Sequence, residues 1–179
     1  MRKALFILGT LDDSDIDWMI ATGTREKVPA RTTLITEGRP SEHVYIVLDG
    51  TFAVHVAALD NKEIATLRSG EIIGEMSFVD SRPPSASVVA MEDSYVLAVP
   101  NLALKDRLND AAFASRFYRS LAIFLANRLR DTVANLGYGR GSEREQRASF
   151  GNEIGPTALE TVSVAGARMN WMMKRLRGQ

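Results

Sequence analysis

The stretch that decides the fold is GEIIGEMSFVDSRPPSASV, residues 70–88. It contains Gly70 and Gly74, and the acid Glu75 directly follows the second glycine. An acid in this place stabilises the start of a helix by a few tenths to about 1 kcal/mol, because helix N-termini carry partial positive charge. The double proline at 83–84 then favours an extended backbone. The stretch therefore predicts a short helical turn followed by a stiff loop.

Short apolar runs flank this stretch between residues 27 and 100. Phe52, Val54 and Val56 alternate with other residues, which is the period of two that is typical of a β-strand. A compact apolar run at 45–48 is followed directly by a DG dipeptide, a turn signal. Many short strands at close spacing with polar turns predict an all-β sandwich or barrel.

Helical patterns lie on both sides of this β region. A short helix is predicted over residues 13–21, with acids at its start that suit the helix dipole. A longer helix is predicted to follow Asn109 or Asp110, either of which can cap it. Its apolar stripe consists of Phe113, Phe117, Leu121, Phe124, Leu125, Leu129, Val133 and Leu136. A helix of about 25 residues is about 38 Å long, more than a small barrel requires, so part of the stripe is expected to contact another chain or the tail.

The C-terminal part of the chain divides into a glycine-containing polar segment and an apolar-striped one. We predict a domain at 1–136, a flexible linker at 137–155 and an amphipathic helix at 156–179. The apolar seam of that helix has steps of three and four residues and consists of Leu159, Val162, Gly166, Met169, Met173 and Leu176. Two interpretations stay open: the seam packs on this domain or its dimer mate, or it docks on a partner protein or a membrane surface.

Composition excludes several classes of function. The 22 basic and 22 acidic residues balance, so the molecule has no general attraction for nucleic acid or acidic membranes. There is no cysteine, which excludes disulfides, thiol nucleophiles and thiolate metal sites. No apolar run approaches the roughly 20 residues that cross a bilayer, so we predict no transmembrane segment and expect a cytoplasmic location. No residues assemble a nucleophile with a base or show metal-ligand spacing, so no catalytic or metal site is predicted.

This order of elements resembles the cyclic-nucleotide-binding domain family over roughly residues 5–136. The Gly-Glu pair at 74–75 resembles the start of that family's phosphate-binding cassette. Two glycine-ended segments, LITEG at 34–38 and VYIVLDG at 44–50, agree with early strands of the family. The resemblance implies a mainly β fold with flanking helices. This fold is a double-stranded β-helix, or jelly-roll-like β-roll, with an N-terminal helix, a long C-helix and here an extra C-terminal helix.

The resemblance also implies a ligand site, formed by Gly74, Glu75, Met76, Ser77, Arg82, Ser85 and Ala86. In the family the glutamate accepts a hydrogen bond from the ribose 2′-hydroxyl, and a cassette arginine binds the cyclic phosphate. The arginine position here is Pro84, which offers neither a cation nor an N–H group. Arg82, two residues earlier, is the candidate replacement, with an exposed loop arginine as the alternative. Asn127 and Arg128 are the polar candidates on the long helix, where a solvated flank or dimer rim is the expected position.

The function implied by the resemblance is a non-enzymatic sensor or regulatory module. Its ligand would be a cyclic nucleotide, cAMP or cGMP, with no obligatory cofactor, and a protein partner would receive the signal through the C-terminal helices. A diverged β-roll interaction protein that no longer binds a ligand is the alternative. We predict a homodimer through Phe117, Leu121, Phe124 and Leu125. The winged helix-turn-helix of the family's transcription regulators has no counterpart after residue 136, which predicts no sequence-specific DNA binding.

Overall fold

A computed structural model describes residues 6–135 and 156–176 of the chain. The helices in these ranges are α1 Phe6–Thr10, α2 Asp13–Thr22, α3 Glu75–Asp80, α4 Asn101–Arg107, α5 Ala111–Asn135 and α6 Pro156–Leu176. The strands are β1 Thr24–Val28, β2 Thr33–Ile35, β3 His43–Asp49, β4 Thr51–Val56, β5 Lys62–Arg68, β6 Ile72–Ile73, β7 Ser87–Ala90 and β8 Ser94–Pro100. The predicted linker at 137–155 lies outside the described residues.

The strands form two four-stranded antiparallel sheets that pack face to face. One sheet has the order β1-β8-β3-β6, and the other has the order β2-β7-β4-β5. Val47, Phe52 and Val96 lie between the sheets and are completely buried. The mainly β fold with flanking helices is therefore confirmed, and the inner core of the roll closes around these side chains.

Strand β3 explains why part of the sequence reads as a continuous apolar run. Val47 points between the two sheets, whereas Val44, Ile46 and Leu48 pack against the helices on the outer face. Because successive side chains of a strand point to opposite faces, burial of both faces requires apolar residues at consecutive positions. The first sheet is therefore the central layer between the second sheet and the helices.

Helix α5 lies in this helical layer. It starts after Asp110, whose Oδ1 accepts hydrogen bonds from the N–H groups of Ala112 and Phe113 at 3.0 and 3.3 Å, as an N-cap does. The predicted dimer surface is wrong for three of its four residues, Phe117, Leu121 and Phe124, which are buried in the domain's own core. The fourth, Leu125, is half-buried against that core. The large apolar side chains that α5 exposes are Tyr118, Leu129 and Val133.

Helix α6 packs in cis on the same helical layer, against α1 and α2. Its buried stripe consists of Ala165, Met169, Met172 and Leu176. Met169 and Leu176 belong to the predicted seam, and Met173 is half-buried beside the stripe. Gly166 also belongs to the predicted seam, but an added Cβ at this position would meet only open space. The side chains of the other two predicted seam residues, Leu159 and Val162, lie outside the described set.

Candidate functional site

A cavity of about 300 Å³ opens between the second sheet, α3 and α5. This volume lies at the lower end of the range for small-molecule sites. Its apolar walls are formed by Ile35, Val54, Ile64, Ala65, Leu67, Ile73, Met76, Pro84, Ala86 and Val88. Its polar lining consists of Glu75, Ser77, Ser85, Arg128 and Thr132. A few polar groups among apolar walls are the usual composition of a ligand site.

The structure brings six of the seven sequence-predicted site residues to this cavity. They are Gly74, Glu75, Met76, Ser77, Ser85 and Ala86. Arg82 is not among the lining residues. Its side chain is 85% exposed, and its Nε lies 3.9 Å from Oδ2 of Asp80. Arg82, the candidate replacement for the cassette arginine, therefore lies in solvent.

One proline of the pair at 83–84 forms part of the cavity wall. Pro84 is buried and lines the cavity, and its carbonyl oxygen accepts a hydrogen bond of 2.8 Å from the N–H of Gly38. This bond ties the loop to the turn after β2. The loop therefore presents an apolar ring to the cavity at position 84.

Gly74 sets the position of α3 against the roll. Its φ is +89°, a left-handed conformation that glycine adopts without steric penalty. A Cβ at this position would lie 3.1 Å from the carbonyl oxygen of His43 and 3.2 Å from Cδ1 of Ile35. The left-handed φ and the close approach to strand β3 therefore both favour glycine here, and the first turn of α3 lies in the cavity wall.

Glu75, the first residue of α3, is almost completely buried, with a side chain that is 3% exposed. Its Oε1 accepts a hydrogen bond of 2.5 Å from Nη1 of Arg128. Burial raises the pKa of the Glu75 carboxyl, and the adjacent Arg128 guanidinium opposes part of that rise. The ion pair therefore offsets the free energy that a lone buried carboxylate would cost.

The expected position of Arg128 on a solvated flank is wrong. The side chain lines the cavity and is 27% exposed, and its guanidinium carbon lies 5.1 Å from the ring centroid of Phe124. One turn later, Thr132 also lines the cavity and donates its hydroxyl to the Arg128 carbonyl at 2.9 Å. Among the described lining residues, Arg128 is the one cation.

The sequence contains a signal for the position of Arg128 on α5. Phe117, Leu121 and Phe124 form the buried stripe of α5, and their steps of four and three lead next to position 128. A guanidinium on the buried stripe of a helix needs an acidic partner. The spacing alone therefore indicated that Arg128 faces the domain and not the solvent.

A second carboxyl lies near the pair. Glu71 is half-buried in the turn before β6, and burial raises its pKa. The positive charge of Arg128 opposes this rise, whereas the negative charge of Glu75 adds to it. The pair therefore has a second acid near it, although Glu71 is not among the residues that line the cavity.

Residues 6–135 and 156–176 contain no cluster of three or more His, Cys, Asp or Glu placed to hold a metal ion. In the same ranges, no helix combines the length and apolar character needed to cross a membrane.

Comparison with known proteins gives a family match in the middle of the chain. The model of the cyclic nucleotide-binding domain matches residues 25–110. The cyclic AMP receptor protein of Thermus thermophilus is 30% identical over 145 residues, which cover 78% of this chain and 64% of that protein. An uncharacterized NTE family protein of Mycobacterium tuberculosis is 30% identical over 102 residues, or 57% of this chain. The match spans only 17% of that relative's length.

The fold has close counterparts among solved structures. A cyclic nucleotide-binding domain from Methylobacillus flagellatus superposes with a TM-score of 0.68 at 24% identity, covering 79% of this chain and 85% of that one. At this identity the likeness supports the fold. The family model identifies residues 25–110 as a cyclic nucleotide-binding domain, so this part of the chain belongs to that family.

Proposed function

We propose that the domain is a non-enzymatic regulatory module that binds a cyclic nucleotide in the cavity between the β-roll and α5. The observation that carries the proposal is the pairing of Glu75 and Arg128 inside that cavity. A cyclic nucleotide presents one negative charge on its phosphodiester and hydroxyl groups on its ribose. The cavity offers a matching cation, a carboxylate and the hydroxyls of Ser77, Ser85 and Thr132.

In this proposal, Arg128 supplies the positive charge that Pro84 cannot. A hydrogen bond to a charged group contributes on the order of 1.5–3 kcal/mol, which is about ten- to hundred-fold in affinity. The glycine at 74 lets the ligand approach the first turn of α3, whose N–H groups have no partner within the helix. Glu75 would accept from a ribose hydroxyl, as the resemblance implies.

The position of Arg128 also supports a route for the signal. It lies on α5, and Phe117 and Phe124 of that helix belong to the core cluster that also contains residues of α1, α2 and α6. A ligand that binds Arg128 would favour one position of α5 over another, and it can shift that equilibrium only by its difference in affinity for the two. We propose that a protein partner recognises the helical layer in one of these positions, and that the module acts in the cytoplasm.

We also propose a homodimer, on a surface that differs from the one the sequence predicted. The exposed residues Tyr118, Leu129 and Val133 have relative exposures of 48%, 64% and 45%. Leu129 and Val133 are one helical turn apart, the spacing of neighbours on one face. A second copy that packs on this face would cover apolar side chains that the domain itself leaves in water.

The alternative is an interaction protein that kept the β-roll and lost the ligand. Pro84 favours this alternative because it removes a cation from the loop. The ion pair favours it too, because Arg128 already has a partner within the protein.

A titration with cAMP and cGMP separates the two. A ligand at 100 times its Kd raises the free energy of unfolding by about 2.7 kcal/mol. We expect a thermal shift with at least one of them, and tighter binding by Pro84→Arg, which adds a cation to the cavity wall. No shift with either nucleotide, for the native chain or for Pro84→Arg, would favour the interaction protein.

A further inference from the structure

The Glu75–Arg128 ion pair joins α3 to α5 across the wall of the ligand cavity. Nη1 of Arg128 and Oε1 of Glu75 are 2.5 Å apart, and both side chains line the cavity. The carboxylate is nearly without contact to solvent, since its side chain is 3% exposed. The cation that an anionic ligand needs is therefore already bound to an anion of the protein.

Other charged groups near this pair lie in the turn before β6, at the end of β5, and at the end of α3 and in the loop after it. Glu71, in the turn before β6, interacts electrostatically with Arg128, Glu75 and Arg68 at the end of β5. The loop after α3 contributes the uncharged Pro84 to the cavity. Arg82 of that loop is exposed beside Asp80, so it gives the pair no compensating charge. Within the described cavity lining, one guanidinium must serve both Glu75 and the ligand.

We propose that an anionic ligand takes Arg128 from Glu75, and that Glu75 then binds a proton from the solvent. A carboxylate that loses its cation in a buried position is disfavoured in its charged form. The negative charge of the ligand, brought close to Glu75, disfavours that form further. The carbonyl oxygen of the neutral acid can still accept a hydrogen bond from a ribose hydroxyl. The inference deepens the proposed function and rests on it, because it needs a ligand in this cavity.

In the ligand-free protein, burial and the charge of Arg128 already act on the pKa of Glu75 in opposite directions. Burial raises the pKa of Glu75 above the ordinary value of 4.5, with Arg128 opposing part of the rise. Ligand binding would remove the opposing effect of Arg128 and raise the pKa of Glu75 further. Between the pKa of the free protein and that of the complex, each binding event then takes up as much as one proton. Affinity consequently falls as the pH rises through this window, by at most about tenfold per pH unit.

Calorimetry of the full chain tests the inference with cAMP and cGMP as the probes. Titrations in buffers of different ionisation enthalpy give the number of protons bound, and Kd is measured between about pH 5 and pH 8. The cyclic phosphodiester keeps one charge in this range. We expect net proton uptake, with tighter binding at lower pH. Glu75→Gln should abolish both effects, whereas Glu71→Gln and the remote, exposed Glu92→Gln should keep them.

Binding to the native chain without proton uptake, and with a Kd independent of pH, overturns the inference and leaves the proposed function standing. Proton uptake that survives in Glu75→Gln and disappears in Glu71→Gln also overturns it, because Glu71 would then be the acceptor. If Glu75→Gln does not fold, the native titration and the Glu71→Gln titration decide. Absence of binding by either nucleotide contradicts the proposed function itself, and the inference with it.

Discussion

Arg116 of α5 holds the completely buried carboxylate of Asp15 in α2 through two hydrogen bonds. Nε lies 2.6 Å from Oδ2, and Nη2 lies 2.9 Å from Oδ1. The same Oδ2 accepts the N–H of Asp12 at 3.0 Å, which completes the capping box of α2. Arg107 of α4 approaches Oδ1 to 3.9 Å. One buried acid therefore joins α2, α4 and α5.

Replacing Asp15 with asparagine should destabilise the domain by roughly 2–3 kcal/mol, because it leaves two guanidinium groups without their shared anion. Urea denaturation measures the loss. Asp17→Asn is the matched control on the same helix, since its partner Arg175 is 55% exposed and such surface pairs contribute about 1 kcal/mol or less. An equal effect of the two substitutions would contradict the role given to Asp15.

Gly74→Ala should destabilise the domain by roughly 1–2 kcal/mol, since a left-handed φ is unfavourable for a residue with a Cβ. The added methyl would also press on the His43 carbonyl. Gly166→Ala in α6 is the control with the opposite sign: its Cβ would meet open space, and alanine favours a helix by about 1 kcal/mol over glycine. Thermal unfolding of both variants tests these two expectations. A Gly74→Ala variant that is more stable than the native chain would refute the account of this turn.

Arg168 fastens α6 to the N-terminal helices. Its guanidinium donates to the carbonyl oxygens of Leu8 at 2.9 Å and of Leu11, and to Oδ1 of Asp13 at 2.7 Å. These are carbonyls at and just beyond the end of α1, a position that lacks intrahelical donors. The side chain is 16% exposed, so the contacts are largely shielded from water.

Arg168→Ala should therefore cost about 2 kcal/mol in α6 docking and speed amide hydrogen exchange along α6, while the β-roll keeps its protection. Arg175→Ala on the same helix is the control. Its contact with Asp17 is exposed, and we expect exchange close to that of the native chain. Exchange in α6 that is unchanged by Arg168→Ala would show that apolar burial alone holds the helix.

The parts of the fold that sequence predicted are those where local pattern and burial agree. Asp110, one of the two caps predicted for α5, and the strand run at 45–48 follow from short-range signals that tertiary packing did not override. The dimer surface failed for a different reason. A stripe spaced by three and four residues shows that a helix face is covered, but it cannot say whether the domain or another chain covers it.

The sequence likewise predicted only some of the residues that line the cavity. The cassette residues are close in sequence, so Gly74 and Ser85 could be found from a contiguous motif. Arg128 is 53 residues from Glu75, and their contact depends on how α5 crosses the roll. Arg82 was chosen because it is near Pro84 in the chain. The left-handed φ of +58° at Ser81 ends α3 just before it, and the Arg82 side chain lies in solvent.

The exposed face of α5 gives a prediction on assembly. If two copies pack through this face, Leu129→Glu places a charge in the contact and should convert the dimer to a monomer. Leu102→Glu is the control, because Leu102 is 78% exposed on α4. Light scattering at micromolar concentration measures the mass, and a monomeric native chain would contradict the proposed dimer.

The central claim is that Arg128 provides the positive charge for the ligand. The direct measurement is the Kd for cAMP and cGMP of Arg128→Gln beside Arg130→Gln, which removes an exposed arginine of the same helix that donates to Asn127. We predict that Arg128→Gln weakens binding about ten- to hundred-fold and that Arg130→Gln leaves the affinity of the native chain. Equal affinities for Arg128→Gln and the native chain would contradict the account.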